Sequence, residues 1–549
     1  MEDLSIFKGF VRLLSGTLTA ENGQRTMLTK INCAKCIGIE AGIVTVEVDI
    51  SPGIGIHLIG MPDTAIKESV MRVTTALKAS GFRIPGHRIV INLAPGDVRK
   101  SGTGYDLAIA LGIAISSGQI PAGNIDDYII MGELGLDGSL RSIAGALPIA
   151  QTAADNGFTG VIMPRMSACE AVEIEGIELL YADKFTDVAN IISDPAYRNV
   201  FDARKLDRVS FPGDMPEIFP GHGCFGEPGI PDFSDISGQE SAKRAVETAV
   251  SGGHNILLIG TPGSGKSTLA KAVAGILPPM GEEERIETGK LYSVAGIPPP
   301  PGSRRPFRAP YRSITTAALI GGGINAMPGE ISLAHNGVLF LDEATEIAAH
   351  QLNALKEPLE NGEITISRLK QKIRYPASFM LILAANPCPC GYFGEGGDRC
   401  KCSPTAIERH LTKLSGALLD RIDIRIYMPP VQGRTLTSSL HGDGTAETSA
   451  MIAERVLKAR LIQKKRFSGT GIISNGRMNK EEAERYCLLG HDEIAFCERL
   501  VDSLGLSARG YVRILRTART IADIGGCEKV SKGHLAQAAS YRKAGNLDI

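Results

Sequence analysis

Residues Gly260–Ser267 read GTPGSGKS and satisfy the pattern G-x-x-x-x-G-K-[ST] at every fixed position. The apolar run NILLIG precedes them and TLAKAVAGIL follows, so the pattern lies between an expected buried strand and an expected helix. Such a loop turns its backbone N–H groups toward phosphate oxygens, and the helix N-terminus behind it adds partial positive charge. The expected nucleotide-binding set is Gly260, Thr261, Pro262, Gly263, Ser264, Gly265, Lys266, Ser267 and Thr268. Lys266 is expected at the β- and γ-phosphates, and the Ser267 hydroxyl on Mg²⁺. A plain Gly-rich turn would share these eight residues, but it would not be followed by the other half of a hydrolytic site.

That other half is GVLFLDEA, Gly337–Ala344. Four apolar residues form a strand ending in Asp342 and Glu343. Asp342 at the strand end suits Mg²⁺, through water, and Glu343 suits the polarisation of an attacking water. A further apolar strand, FMLILAAN, ends at Asn386, where an amide could orient that water against the γ-phosphate. Strand–loop–helix, strand–DE and strand–N in this order describe an AAA+ type core that hydrolyses ATP.

A second chemistry lies just beyond Asn386. The segment CPCGYFGEGGDRCKC brings Cys388, Cys390, Cys400 and Cys402 into one short loop. Four thiolates could close a tetrahedral structural Zn²⁺ site with no position open for water. The usual zinc-ribbon spacing is C-x₂-C, and here both pairs are C-x-C. A reduced Cys-rich loop is the alternative. Four of the chain's 11 cysteines in so short a segment favour zinc. Cys33 and Cys36 make a lone C-x-x-C without a partner pair, read as buried or incidental. Cys169, Cys224, Cys487, Cys497 and Cys527 read as small apolar residues.

The elements that must position these groups occupy only part of a 549-residue chain, long enough for about three or four domains. The expected class is α/β, in segments. Residues 1–26 are expected as a disordered extension. Residues 27–195 alternate strands such as VTVEVDI and RIVINLAP with helices such as AIKESVMRVTTALKASG. Residues 196–232 form a linker, Gly/Pro-rich over Phe211–Pro231. The ATPase core spans 233–430, with the cysteine loop 388–402 as an insert. Residues 431–549 form a linker and a helical lid. Lys+Arg 59 against Asp+Glu 60 leaves no global basic footprint, so a nucleic-acid contact would need a local patch. No apolar stretch approaches the ~20 residues a bilayer needs. Met1–Leu14 carries acidic residues and lacks a cleavage site, so a cytoplasmic protein with reduced cysteines and no membrane partner is expected.

Three long segments in fixed order resemble the magnesium-chelatase-like AAA+ proteins of bacteria, the YifB/ComM family. They are RPFRAPYRSITTAALIGGG at Arg305–Gly323, PGEISLAHNGVLFLDE at Pro328–Glu343, and LKEPLENGEITISR at Leu355–Arg368. Tyr311-Arg312 departs from the family, which usually shows a His pair there. The resemblance implies a ring-forming ATPase, a homo-hexamer, whose site is completed by the neighbouring subunit. It implies an arginine finger within SGALLDRID, at Arg421, and a second sensor within SARGYVRILRTAR, at Arg509, with Arg516 as its rival. Arginine suits both roles because its planar donor fork stabilises a transferring phosphoryl group. A solvated helix face or an ordinary ion pair is the alternative for each.

The resemblance also relates residues 27–195 to the peptidase domain of Lon, which uses a Ser–Lys dyad. The matching turn is KSGTGYD, Lys100–Asp106, where the nucleophile position falls on Gly104. The base position falls on Arg141, which cannot lose its proton at neutral pH. A non-proteolytic scaffold is expected.

The stretch EITISRLKQKIRYPASF alternates and turns near Leu369-Lys370-Gln371, so it reads as a hairpin ahead of the sensor strand. It carries Arg368, Lys370, Lys372 and Arg374. In the family's clade this hairpin meets the nucleic-acid backbone in the ring channel, which would make the four residues phosphate contacts without sequence readout. A solvated basic hairpin is the alternative. The combined expectation is an ATP-driven hexameric motor on single-stranded or branched DNA, promoting branch migration in natural transformation. A magnesium-chelatase-type protein-remodelling ATPase is the rival, and an ATP-dependent peptidase the weaker one.

Overall fold

The computed structural model describes residues 28–97, 100–206, 229–323, 326–368, 371–395, 399–431, 433 and 446–542. The expected extension 1–26 lies outside the described residues, as do most of the expected linker and Lys370. The chain divides into two compact units, one up to Ser210 and one from Phe211.

In the first unit β1 (Thr29–Ile37) and β2 (Glu40–Ser51) form a hairpin in which Ile37 faces Glu40. β3 (Ile56–Ile59), β4 (Arg88–Ala94), β5 (Tyr128–Ile130), β8 (Gly160–Pro164) and β9 (Glu178–Ala182) complete a seven-stranded sheet in the order β3-β4-β2-β1-β5-β8-β9. β6 (Glu133–Leu134) and β7 (Leu140–Arg141) form a separate short ladder. β1 and β2 alternate buried and exposed positions along much of their length, as a half-covered sheet requires. The helix Asp106–Ser116 is apolar all round and buries ten residues, including Asp106, whose carboxylate takes bonds from Arg72. Burial of that carboxyl, only partly offset by Arg72, raises its pKa to about 6. Single-turn helices at Pro195–Asn199 and Ala203–Lys205 continue the packing of this unit past residue 195, with Tyr181 N bonded to Phe201 O.

The second unit holds a five-stranded parallel sheet. Its strands are β10 (Ile256–Gly260), β11 (Phe307–Arg308), β14 (Val338–Leu341), β17 (Met380–Ala385) and β18 (Ile424–Met428). Their order is β11-β14-β17-β10-β18. β10, β14 and β17 are wholly buried, which explains why each reads as an unbroken apolar run rather than an alternating one. β12 (Gly321–Gly322) pairs β13 (Met327–Pro328), and β15 (Glu363–Arg368) pairs β16 (Gln371–Pro376), both antiparallel. Among the described residues five α-helices follow, Ser449–Arg466, Lys480–Cys487, His491–Leu504, Ala508–Ile524 and Lys532–Ser540. They share one apolar core with the sheet, in which Ile452, Val456, Ile514 and Leu515 join Ile256, Leu258 and Ile424. The architecture is therefore α/β with a parallel-sheet core and a helical C-terminal region. Among the described residues no helix is long and apolar enough to cross a membrane.

Candidate functional site

Strand order decides which loops meet. β17 lies between β10 and β14, so the residues leaving the C-terminal ends of these three parallel strands share one edge. Ala385 is the register partner of Ile259, and Leu383 that of Leu341. Asn386 therefore follows the central strand, with the phosphate loop on one side and Asp342 and Glu343 on the other.

The loop itself needs its glycines. Gly263 and Gly265 take φ values of +80° and +89°, a region that side chains disfavour. Gly265 leads directly into the helix Lys266–Ala272. Lys266 is buried, and its Nζ donates to the carbonyls of Gly260 (2.7 Å) and Thr261 (2.8 Å). Burial lowers the pKa of this ammonium, against the opposing pull of Asp342 and Glu343. The Ser267 hydroxyl donates to Asp342 Oδ2 at 2.6 Å. Two oxygen atoms from opposite halves of the site thus already meet, and hydroxyl and carboxylate oxygens are donors that suit a hard cation such as Mg²⁺. Glu343 has φ +49°, a left-handed conformation that costs a non-glycine residue roughly 1–3 kcal/mol and is concentrated at functional sites.

Several contributors had no role assigned by local spacing in the sequence. Arg312 Nη1 donates to Glu343 Oε2, so the departure at Tyr311-Arg312 touches the candidate base. His410 Nε2 lies 3.2 Å from the carbonyl of Asn386. Gln239 Nε2 donates to Ser264 O and Pro429 O, tying the phosphate loop to the residue after β18. Each depends on tertiary contact across tens of residues or more, which spacing along the chain does not encode.

Arg421 and Arg509 come together away from this edge. Arg421 pairs with Glu360 Oε2, and Arg509 Nη2 is 3.7 Å from Glu360 Oε1. The two guanidiniums, Arg421 foremost, hold the Glu360 carboxyl below its usual pKa. The carbonyl of Arg421 accepts from Asn255 Nδ2 at 2.9 Å, and Asn255 precedes β10. The phosphate loop leaves the other end of that strand, five residues away at about 3.3 Å each, or roughly 16 Å. Among the described residues neither arginine contacts the phosphate loop of its own chain. Arg516 is partly buried nearer Asp423 and leaves its Nε without a partner.

The sulfurs of Cys388, Cys390, Cys400 and Cys402 all lie within 4.8 Å of one another. Cys388–Cys390, Cys390–Cys400 and Cys388–Cys400 are 3.3, 3.7 and 3.8 Å apart. A tetrahedron with Zn–S of about 2.3 Å sets its sulfurs about 3.8 Å apart, so the four residues fit zinc. Cys33 and Cys36 do not form a comparable pair. They lie three apart on β1, so their side chains leave opposite faces, toward Ile130 O and Gly145 O. Burial raises both thiols, that of Cys36 to about 12.

β15 and β16 bury Ile364, Ile366, Ile373 and Tyr375 and expose Lys372 and Arg374. Arg374 is 3.8 Å from Glu363, an acid the linear pattern does not bring to it. The side chain of Arg368, like the whole of Lys370, lies outside the described residues. In the first unit, a Cβ on Gly104 would meet Met131 Cε at 3.0 Å, and Arg141 pairs with Glu133 at 3.6 Å. Thr103 donates to the same Glu133. No nucleophile–base pair occupies these two positions.

Three family profiles match the chain: "Magnesium chelatase, subunit ChlI" over residues 232–436, "Subunit ChlI of Mg-chelatase" over 46–167, and "Magnesium chelatase, subunit ChlI C-terminal" over 446–542. The chain is 40% identical to competence protein ComM of Haemophilus influenzae over 513 residues, covering 92% of this chain and 96% of that one. It is 38% identical to YifB of Salmonella typhimurium over 526 residues, covering 95% and 98%. To the magnesium-chelatase 38 kDa subunit of Rhodobacter capsulatus it is 29% identical over 330 residues, covering 56% and 85%.

Proposed function

This chain belongs to the YifB/ComM family of magnesium-chelatase-like AAA+ proteins, and from that premise we propose that it is an ATP-driven ring motor acting on DNA. The observation that carries the ATPase reading is the meeting of Ser267 and Asp342 beside Lys266. In this reading Lys266 leaves the Gly260 and Thr261 carbonyls and binds the β- and γ-phosphates of the substrate ATP. Ser267, and Asp342 through water, would hold Mg²⁺, which when bound would offset phosphate charge. Glu343 accepts a proton from the attacking water, and Asn386 orients it.

The separation of Arg421 from its own phosphate loop supports a site completed in trans. Arg421 and Arg509, held together by Glu360, would face the nucleotide of a neighbouring copy and stabilise charge on the transferring phosphoryl group. A closed homo-hexamer meets that need at every interface. The four-thiol loop is read as a structural Zn²⁺ site.

The DNA part of the reading rests on the exposed basic face of β15–β16 and on likeness to a competence protein. Branch migration of single-stranded or branched DNA during natural transformation is its finer form. A chelatase-type remodelling ATPase is the second reading, favoured by the three ChlI matches. ATP turnover of the purified protein with and without single-stranded DNA separates them. Stimulation by DNA supports the motor, and an ATPase indifferent to DNA over a range of salt supports the remodelling reading.

A further inference from the structure

The four-cysteine loop does not stand apart from the nucleotide edge. Cys388 follows Asn386 by two residues and is fully buried. Gly391 has φ +87° and lies so close to the phosphate loop that a Cβ there would be 2.7 Å from Cγ and Cδ of Pro262. The same Cβ would be 3.9 Å from Cγ of Asn386. A Cβ on Gly394 would reach the Tyr427 hydroxyl at 3.4 Å, and Tyr427 is the register partner of Ile259 on β10. At its far end the loop runs from Cys402 into Ser403, whose side chain caps the helix Pro404–Leu411. That helix carries His410, bonded to the Asn386 carbonyl. Both ends of the cysteine loop are therefore tied to the same residue, and Gly391, just past Cys390, rests on the phosphate loop.

We propose that the loop closed by Cys388, Cys390, Cys400 and Cys402 is a positioning element for ATP hydrolysis, so that metal binding and nucleotide binding are coupled through Gly391, Pro262 and Asn386. This rests on the reading of Gly260–Ser267 as an ATP site. Bound to zinc as thiolates, the four sulfurs would cross-link the loop; without the ion they take up protons, and only weak S–H contacts join groups that lie within 4.8 Å of one another. With zinc, the ends of the loop are locked and Asn386 is clamped between Cys388 and His410. Without it, the loop ends part, Gly391 lifts from Pro262, and the amide loses its fixed aim at the attacking water. Coupling of two sites is reciprocal, so a ligand that orders the phosphate loop must also hold the metal more tightly.

The test uses the full-length, zinc-loaded protein. Zinc release to a colorimetric chelator is timed with and without a non-hydrolysable ATP analogue and Mg²⁺. Occupancy is followed on the same sample with a fluorescent nucleotide. Saturating nucleotide should slow release roughly fivefold or more, the lower end of ordinary site-to-site coupling. Pro262→Ala removes the ring that Gly391 touches while leaving every thiol in place. It should keep its zinc stoichiometry and lose the protection. Cys402→Ser, with unchanged helical content by circular dichroism, should bind the fluorescent nucleotide more weakly and lower kcat more than it raises KM. Equal release rates in a nucleotide-saturated sample would overturn the coupling, as would a metal-free protein with wild-type turnover. A sample that binds zinc but no nucleotide at all defeats the phosphate-loop reading, and the coupling with it. The fluorescence signal tells that case from the others.

Discussion

Arg312 donates through Nη1 to Oε2 of Glu343, so in this conformation the candidate general base is engaged by a cation of its own chain. The pair occupies a carboxylate oxygen that, in the proposed role, has to face the attacking water. Both partners remain substantially exposed, so the hold is weak and solvent-screened, and the pair can part when substrate arrives.

Replacing Arg312 with Ala should therefore raise basal ATP turnover rather than lower it. Exposed pairs contribute about 0–1 kcal/mol, so the rise should be no more than about fivefold. Steady-state phosphate release measures it. A fall in turnover would instead make Arg312 a participant in hydrolysis.

Glu343→Gln keeps the shape of the side chain and removes its proton affinity. ATP affinity should persist while turnover falls by about 10²–10⁴. Lys266→Ala removes the cation from the phosphate loop, so nucleotide binding itself should weaken. Equilibrium binding beside single-turnover hydrolysis distinguishes the two variants, and a Glu343→Gln enzyme with ordinary turnover would remove that residue from the role of base.

The contrast between these residues explains what the sequence makes legible. Asp342 and Asn386 each directly follow a buried strand, and Lys266 opens the helix after the loop that leaves one, so local apolar pattern and polar residue coincide within a few positions. The helix Thr64–Ala79 and the β15–β16 ladder are legible because periodicity is a local property. Arg312, Glu360 and His410 are not. Each acquires its meaning from a neighbour that only tertiary contact brings near, and local spacing assigns none of them a role. β1 shows no such local signal, because its polar residues Lys30, Asn32 and Lys35 dilute the apolar run, and its order comes from pairing with β2 and β5.

The shared contact of Arg421 and Arg509 on Glu360 makes a prediction about subunit mixing. Arg421→Ala and Arg509→Ala should each bind ATP and each fail to hydrolyse it. Mixing either with Lys266→Ala protein should restore some activity, since some interfaces then pair an intact phosphate loop with intact arginines. Mixing Arg421→Ala with Arg509→Ala should restore far less, because both lesions lie on the same face of the subunit. Activity across mixing ratios is the readout. Recovery in that last mixture equal to the others would separate the two arginines functionally.

The exposed face of β15–β16 carries the last expectation. Lys372 and Arg374 project from one side of β16, two residues apart, while Ile373 and Tyr375 anchor the other side in the core. Charge reversal at both positions should leave the ladder intact, because its apolar face and backbone pairing are untouched. If the two cations meet phosphates, Lys372→Glu with Arg374→Glu removes two contacts and adds repulsion. For single strands each neutralised phosphate contributes about 0.7 to the slope of log affinity against log salt. The double variant should therefore bind single-stranded DNA more weakly, with a slope shallower by about 1.4. Glu363 already sits beside Arg374, so part of that cation's charge is spent within the chain and Lys372 should account for the larger share. Single variants at the two positions test that ranking. Identical salt slopes for wild type and the double variant would make this face an ordinary solvated hairpin, and the remodelling reading would then be the stronger one.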